Sequence, residues 1–296
     1  GYVLSVLISL LMVNCDEMTD IILDGSVTAD DLTVEEIEAL VRNNQDQRAV
    51  FSYLEYETLL QELTNPRYIV LPINEFRTTF DSSKIIIGMR HDVDTHPFKA
   101  QEMLALENEY GIRTTYYIMH SAAYYGARRD TGYKRHACMG AIYQQIADGA
   151  GEFGVHNDLI AMMCMYDIDP LQFQIEEIEY YTSLGITIYG SAAHGSTLVI
   201  NLGLSNRWIY SDFHAYGTFN YKGKTYEYGR YSLADFGLRY EAYSTQWNDY
   251  LSESGGRWSR GTSTTDIIRR LQSYEPGARV QILTHPTWWG KEQSDI

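Results

Sequence analysis

Four short polar clusters stand at or just beyond the ends of apolar runs that we predict to be β-strands. In folds built on a parallel sheet, active sites form at the carboxyl ends of the strands. The sequence therefore predicts one site to which four strands contribute histidines or carboxylates. The clusters are Arg90–Asp94 after Ile85–Met89, His156-Asn157-Asp158 after Glu152–Val155, His194-Gly195-Ser196 a few residues after Ile186–Tyr189, and Thr284-His285-Pro286 after Val280–Leu283.

The first cluster brings two carboxylates and a guanidinium to one side of its strand. Side chains two residues apart point to the same face of a strand, so Arg90, Asp92 and Asp94 share one face. His91 and Val93 then face the other way. Two neighbouring carboxylates repel each other unless a metal ion or the arginine neutralises them. This arrangement suits one aspartate that binds a metal and one that acts as a base.

Two imidazoles complete the set of candidate metal ligands. His156 and His194, together with one of the aspartates, form a two-histidine, one-carboxylate set with open positions, as in catalytic zinc sites. Other interpretations exist for each residue alone. Asp94 or Thr95 would cap the helix expected to start at Pro97, and a single histidine is more often a hydrogen-bonded polar residue than a ligand. The convergence on strand ends favours a divalent transition metal, with zinc as the first choice.

The order of elements along the chain predicts how these residues are held. From Lys84 onward, apolar strands alternate with helices, which predicts a parallel sheet covered by helices, either a barrel or a doubly wound sheet. A capping box at Thr33–Glu36 and an N-cap with proline at Asp169-Pro170 mark two helix starts, and another helix is predicted over Tyr53–Leu63. Residues 203–262 are rich in Tyr, Gly and Ser, so we expect loops and short hairpins there.

Composition excludes several classes of protein. The chain has 296 residues, 45% of them hydrophobic, which is typical of a globular protein and long enough for a substantial core. The 39 acidic and 23 basic side chains give a net charge of −16, which argues against a nucleic-acid partner. Three scattered cysteines are too few for a disulfide framework or a thiolate zinc site.

The first residues resemble an export signal. Tyr2–Val13 is almost wholly apolar, too short to span a bilayer but long enough for the core of a signal peptide. Cys15 and two acidic residues follow, as in a bacterial lipoprotein whose cysteine is lipidated. We therefore expect an exported protein of the cell envelope or extracellular space, with Cys15 as its only membrane attachment. The alternative is a buried first helix or strand.

We expect three regions along the chain. They are a signal-like apolar segment at 1–15, an acidic tether with N-terminal helices at 16–65, and a catalytic domain at 66–296.

Taken together, four strings resemble those of the polysaccharide deacetylase superfamily, which carries the NodB-homology domain. The resemblance covers roughly residues 66–290 and implies a distorted (β/α) barrel, here with an N-terminal helical extension. The linked set is much more specific than any one motif. The strings are Arg90-His-Asp-Val-Asp94, Gly154-Val-His-Asn-Asp158, Ala193-His-Gly-Ser196 and Leu283-Thr-His-Pro286-Thr-Trp-Trp289, with Gly111–Tyr117 fitting a further strand.

The resemblance implies metal-assisted hydrolysis of an N- or O-acetyl group on a carbohydrate substrate. It implies that Asp94 is a metal ligand, that Asp92 is the general base and that His285 is the acid that protonates the leaving group. The tryptophans of the last string would line an acyl pocket or a sugar platform, or belong to the core. The supporting residues are Arg90, which would keep Asp92 ionised, and Asn157, Asp158, Ser196, Trp288 and Trp289.

One position departs from the family pattern. The family takes both histidine ligands from one segment with three residues between them, but this spacing from His156 falls on Ile160, which cannot bind a metal. We expect His194 to replace the missing ligand. If it does not, the chain would be an inactive carbohydrate-binding or scaffold lipoprotein on the same barrel. A third reading is a metal amidohydrolase acting on a non-sugar amide, which the same residues would serve.

Overall fold

The computed structural model describes residues 32–43, 49–129 and 132–291. The predicted signal segment and Cys15 lie outside the described residues. The helices are α1 (Val34–Asn43), α2 (Tyr53–Leu63), α3 (Ile73–Phe76), α4 (Pro97–Glu109), α5 (Gly140–Gly149), α6 (Leu159–Tyr166), α7 (Pro170–Ser183), α8 (Thr197–Asn201) and α9 (Thr264–Gln272). The strands are β1 (Phe51–Ser52), β2 (Tyr68–Leu71), β3 (Ile85–Val93), β4 (Thr115–Met119), β5 (Gly126–Arg129), β6 (Gly132–Arg135), β7 (Glu152–Asn157), β8 (Gly190–Ala193), β9 (Gly217–Tyr221), β10 (Lys224–Tyr228), β11 (Tyr240–Glu241), β12 (Asp249–Ser252), β13 (Arg279–Thr284) and β14 (Trp289–Gly290).

The central sheet is parallel and curled into a half-barrel. Its strands follow the order β11-β8-β7-β4-β3-β13-β12, and β2 adds to β3 beside β4. Every neighbouring pair in this sheet is parallel. The predicted α/β fold with a parallel sheet is therefore confirmed, and the carboxyl ends of β3, β7, β8 and β13 lie along one edge.

Strand β3 lies at the centre of this sheet, and all nine of its residues are buried. Ile87 and Met89 pack into the core beneath α2 and α4. Gly88 faces the ring of Phe76 so closely that a Cβ would lie 2.5 Å from that ring. A strand buried on both faces must be apolar along most of its length, so its charged residues gather at its carboxyl end.

The two predicted helix starts are confirmed. In α1, Thr33 and Glu36 exchange hydrogen bonds as a capping box. In α7, the Asp169 side chain accepts a hydrogen bond from the backbone of Gln172, and Pro170 occupies the first helical turn. These caps define the residue at which each helix begins.

Helix α2 shares its hydrophobic core with the sheet. Leu59 and Leu60 are fully buried in the same cluster as Ile87 and Trp289. Strand β1, which precedes α2, pairs with β14 through Phe51 and Trp289. Packing is therefore continuous across residue 66, where the sequence analysis placed the start of the catalytic domain.

The predicted strand at Ile186–Tyr189 is wrong, because the strand begins only after those four residues and covers Gly190–Ala193. The large apolar residues suggested a strand, but this part of the sheet packs against bulky rings and needs small side chains. A Cβ on Gly190 would lie 2.2 Å from the ring of Tyr240. His194 therefore follows its strand directly.

The prediction of short hairpins within residues 203–262 is confirmed by β9 and β10. They pair in antiparallel fashion around a turn at Lys222 and Gly223, which have φ values of 48° and 81°.

None of the helices in the described part of the chain has the length and apolarity needed to cross a bilayer.

Candidate active site

Asp94, His156 and His194 converge at the carboxyl edge of the sheet. Each offers one ligand atom, and these atoms all lie within 4.8 Å of one another. Nε2 of His156 is 3.1 Å from Oδ1 of Asp94, and the centres of the two imidazole rings are 5.0 Å apart. Because Asp94 follows β3, His156 lies in β7 and His194 follows β8, the parallel order of the strands brings them together.

The hydrogen bonds of His156 leave its Nε2 available to bind a metal. Nδ1 lies 2.9 Å from the carbonyl oxygen of Ala192, which can only accept, so Nδ1 carries the hydrogen and donates it. In the neutral ring, the lone pair then lies on Nε2, on the side of Asp94. Oδ1 of Asp94 is buried and has no hydrogen-bond donor among the described residues. A nitrogen lone pair facing an unsatisfied carboxylate oxygen fits a divalent cation between them.

The charges at this cluster depend on one another. Burial opposes the charge of Asp94, but the nearby imidazoles of His156, His285 and His194 hold its pKa below the usual value. Burial also opposes the charge of His194, but the carboxylates of Asp158, Asp94 and Asp92 raise the pKa of His194 to about 9. A metal ion bound here would replace the proton on His194 as the charge that neutralises Asp94.

Asp92 is held by Arg90 beside the ligand cluster. Nη1 of Arg90 donates to both carboxylate oxygens of Asp92, at 2.8 and 3.0 Å, and both side chains are buried. Nη2 of Arg90 donates to the hydroxyl of Tyr250, and the guanidinium stacks on the ring of Tyr243. Oδ2 of Asp92 lies 3.7 Å from Nε2 of His156, so the same carboxylate borders the predicted metal site. A permanent positive charge at Arg90 balances the buried carboxylate.

His285 pairs with Glu253, a residue that the sequence analysis did not identify. Nδ1 of His285 lies 2.8 Å from Oε2 of the fully buried Glu253. The backbone nitrogen of His285 and Nε1 of Trp289 both donate to Oε1 of the same carboxylate. Burial lowers the pKa of His285, but the charge of Glu253 outweighs it and raises that pKa to about 9. Glu253 directly follows β12, a short strand that no periodicity marks in the sequence of this loop-rich segment.

Trp288, Trp289 and Ser196 make packing and capping contacts near the site. Trp289 is fully buried and packs against Tyr56, and Trp288 packs partly buried against the same core. The Ser196 side chain caps α8. These contacts shape the backbone around the site.

The capping interpretation of Asp94 and Thr95 is wrong. His96 caps α4 instead, because its Nδ1 accepts a hydrogen bond from the backbone of Lys99. The carboxylate of Asp94 is thus turned towards His156 and away from the helix.

His91 faces away from the site, as the alternation along β3 predicts. Its Nε2 lies 2.6 Å from Glu107 and its Nδ1 lies 2.5 Å from Thr284. The hydroxyls of Tyr56 and Tyr116 donate to the same Glu107 carboxylate. This buried network joins β3 and β13 to α2 and α4 on the far side of the sheet.

Comparison of the chain with protein-family models, with curated proteins and with solved structures gives no match.

Proposed function

We propose that this protein is a metal-dependent hydrolase that removes N- or O-linked acetyl groups from a carbohydrate, on a distorted barrel of the polysaccharide deacetylase type. The observation that carries the proposal is the cluster of three candidate ligands, Asp94, His156 and His194. Two further groups in opposite protonation states accompany it. One is a carboxylate, Asp92, and the other is a protonated imidazole, His285. Hydrolysis of an acetyl group needs an electrophile, a base and an acid within one pocket.

The donor set suits zinc. Asp94, His156 and His194 would hold the ion through one carboxylate oxygen and two imidazole nitrogens, which leaves positions open for water and substrate. When bound, such an ion polarises the acyl oxygen and lowers the pKa of water.

Asp92 serves as the general base. Its Oδ2 is the oxygen nearest to the ligand cluster, 3.7 Å from Nε2 of His156. The fixed guanidinium of Arg90 orients the carboxylate by contacting both of its oxygens. Asp92 accepts the proton of the water that attacks the acyl carbon.

His285 serves as the general acid. Its Nδ1 is engaged by Glu253, so Nε2 is the atom that delivers a proton to the leaving nitrogen or oxygen. The carboxylate of Glu253 raises the pKa of His285 to about 9, so the imidazole is protonated near neutral pH, as an acid must be. The products are acetate and a free amine or hydroxyl on the sugar.

Acetate release tests the proposal. The purified protein is loaded with zinc or cobalt and given N-acetylated chitooligosaccharides, O-acetylated xylan and small non-sugar acetamides. We expect metal-dependent acetate release from a carbohydrate, and release slower by about 10²–10⁴ from the Asp92→Asn variant loaded with the same metal. Release from the non-sugar acetamides alone would instead identify an amidohydrolase. No release from any substrate by metal-loaded protein would overturn the proposed activity.

A further inference from the structure

We propose that Asp158 is a positioning residue for His194 and that Asn206 fixes the positions of these two residues relative to each other. This inference rests on the metal-dependent function proposed above. His194 replaces a ligand that the resembled family takes from the segment after His156, so its orientation needs support of its own. The contacts of Asp158 and Asn206 supply that support.

The carboxylate of Asp158 is fixed so that one oxygen faces His194. Oδ1 accepts a hydrogen bond from Nδ2 of Asn206 at 2.7 Å, and Oδ2 accepts one from the hydroxyl of Ser121 at 2.6 Å. Oδ2 also lies 3.5 Å from Nδ1 of His194, which has no hydrogen bond within the described part of the chain. A carboxylate facing Nδ1 favours a hydrogen on that nitrogen and leaves the lone pair on Nε2 for a metal.

The backbone of Asp158 is fixed as well. Its N–H donates to Nε2 of His120 at 2.8 Å. Because a backbone N–H can only donate, Nε2 of His120 must accept, and the hydrogen of that ring lies on Nδ1. Nδ1 of His120 is 3.1 Å from the carboxylate of Glu177, and both side chains are fully buried. This pair anchors the start of α6, and with it Asp158, to α7.

Asn206 connects the two segments that carry the site. It is fully buried, and its Nδ2 donates both to Oδ1 of Asp158 and to the carbonyl oxygen of His194, at 2.7 and 2.8 Å. Its Oδ1 accepts a hydrogen bond from the backbone of Ile160 at 3.0 Å. Ile160 stands where the family pattern has its second histidine. Asn206 therefore connects the backbone at this position to the segment that carries His194, the proposed replacement for that ligand.

A purely structural link would not need a charged residue at position 158. Burying a carboxylate is costly unless it is paired, and Asp158 is only 3% exposed. Ser121 and Asn206 are neutral partners, and the ring nitrogen of His120 that meets Asp158 is an acceptor. His194 is the ion-pair partner of Asp158. The negative charge of Asp158 therefore acts on the imidazole of His194, which we assign as a metal ligand.

Cobalt binding to the purified protein tests this inference without relying on catalysis. The visible absorption of Co²⁺ reports the geometry of its ligands, and competition with a chelator gives its dissociation constant. We expect Asp158→Asn to weaken cobalt binding about 10–100-fold and to change the absorption spectrum. Asp169→Asn removes the same charge from an exposed helix cap where asparagine also caps well, so this control should bind as the wild type does.

Ser121→Ala keeps the test decisive if Asp158→Asn does not fold. It leaves the carboxylate but removes the donor that fixes Oδ2, and we expect cobalt binding about two- to tenfold weaker. Wild-type affinity and an unchanged spectrum in every folded variant would overturn the role of Asp158 and leave the proposed function intact. A wild-type protein that binds no cobalt would overturn the metal site itself.

Discussion

Nδ1 of His285 faces Oε2 of Glu253 across 2.8 Å, at the carboxyl ends of two adjacent parallel strands. The carboxylate is fully buried, whereas His285 remains 8% exposed. A buried negative charge stabilises the protonated imidazole, which explains why the pKa of His285 rises to about 9 despite burial.

Glu253→Gln should move the alkaline limb of the pH profile to lower pH. The acid works only when protonated, so activity falls as pH rises through the pKa of His285, about 9 with Glu253 present. Without the carboxylate, that pKa returns towards the ordinary value of 6.5, and activity is lost at lower pH. The measurement is kcat/KM against pH. The control is Glu227→Gln, which makes the same change at an exposed carboxylate that also takes part in an ion pair. An unmoved limb in Glu253→Gln would remove His285 from the role of acid.

His285→Ala should damage amide hydrolysis far more than ester hydrolysis. A positioned acid contributes about 10²–10⁴ to the rate when the leaving group needs a proton. An activated acetyl ester has a good leaving group and needs little protonation. The comparison is turnover of an N-acetylated sugar and of a nitrophenyl acetate by the same enzyme preparation. Equal losses on both substrates would assign His285 to binding or structure.

Asp92→Asn should keep the metal and lose hydrolysis. The amide has the shape of the carboxylate but cannot accept a proton from water, so we expect turnover to fall by about 10²–10⁴. Metal content is measured beside acetate release in the same samples. Loss of the metal together with activity would mean that Asp92 is itself a ligand and that the division of labour with Asp94 is reversed.

Zinc binding should tighten as pH rises. The pKa of His194 is raised to about 9, so below that pH an incoming ion must displace a proton from this imidazole. Asp94 has a pKa below its usual value and contributes no such competition near neutral pH. We expect the affinity to rise by about tenfold per pH unit up to about pH 9, measured by chelator competition. An affinity for zinc that does not change with pH would contradict the claim that the ion displaces a proton from His194.

The site residues that end apolar strands are accessible to sequence reasoning. Alternation places Asp92 and Asp94 together and His91 opposite, and the structure has this arrangement. Glu253 and Asn206 were missed because they lie in the loop-rich segment, where no periodicity marks a strand end or a turn. Their roles depend on contacts with residues far away in the sequence, Glu253 with His285 and Asn206 with Asp158.

The fold was predictable where strands are apolar and less so where packing favours small residues. Strand β8 consists of Gly, Ser and Ala because the ring of Tyr240 occupies the space beside it, so hydrophobicity pointed to the preceding residues. The helical signal of α2 was clear, but its packing against the sheet follows from long-range contacts such as Tyr56 with Glu107. Hydrophobic patterns indicate which residues are buried without showing which surface covers them.

The most direct test is the metal content of the purified protein and of its ligand variants after incubation with zinc and removal of unbound ions. We expect one zinc ion per chain in the wild type and in His214→Ala, whose ring packs against Trp208 outside the ligand cluster. We expect loss of that ion in His156→Ala and in His194→Ala, with the folded state checked by circular dichroism. A wild type without bound metal, or a His194→Ala variant that retains a full equivalent, would contradict the three-residue site.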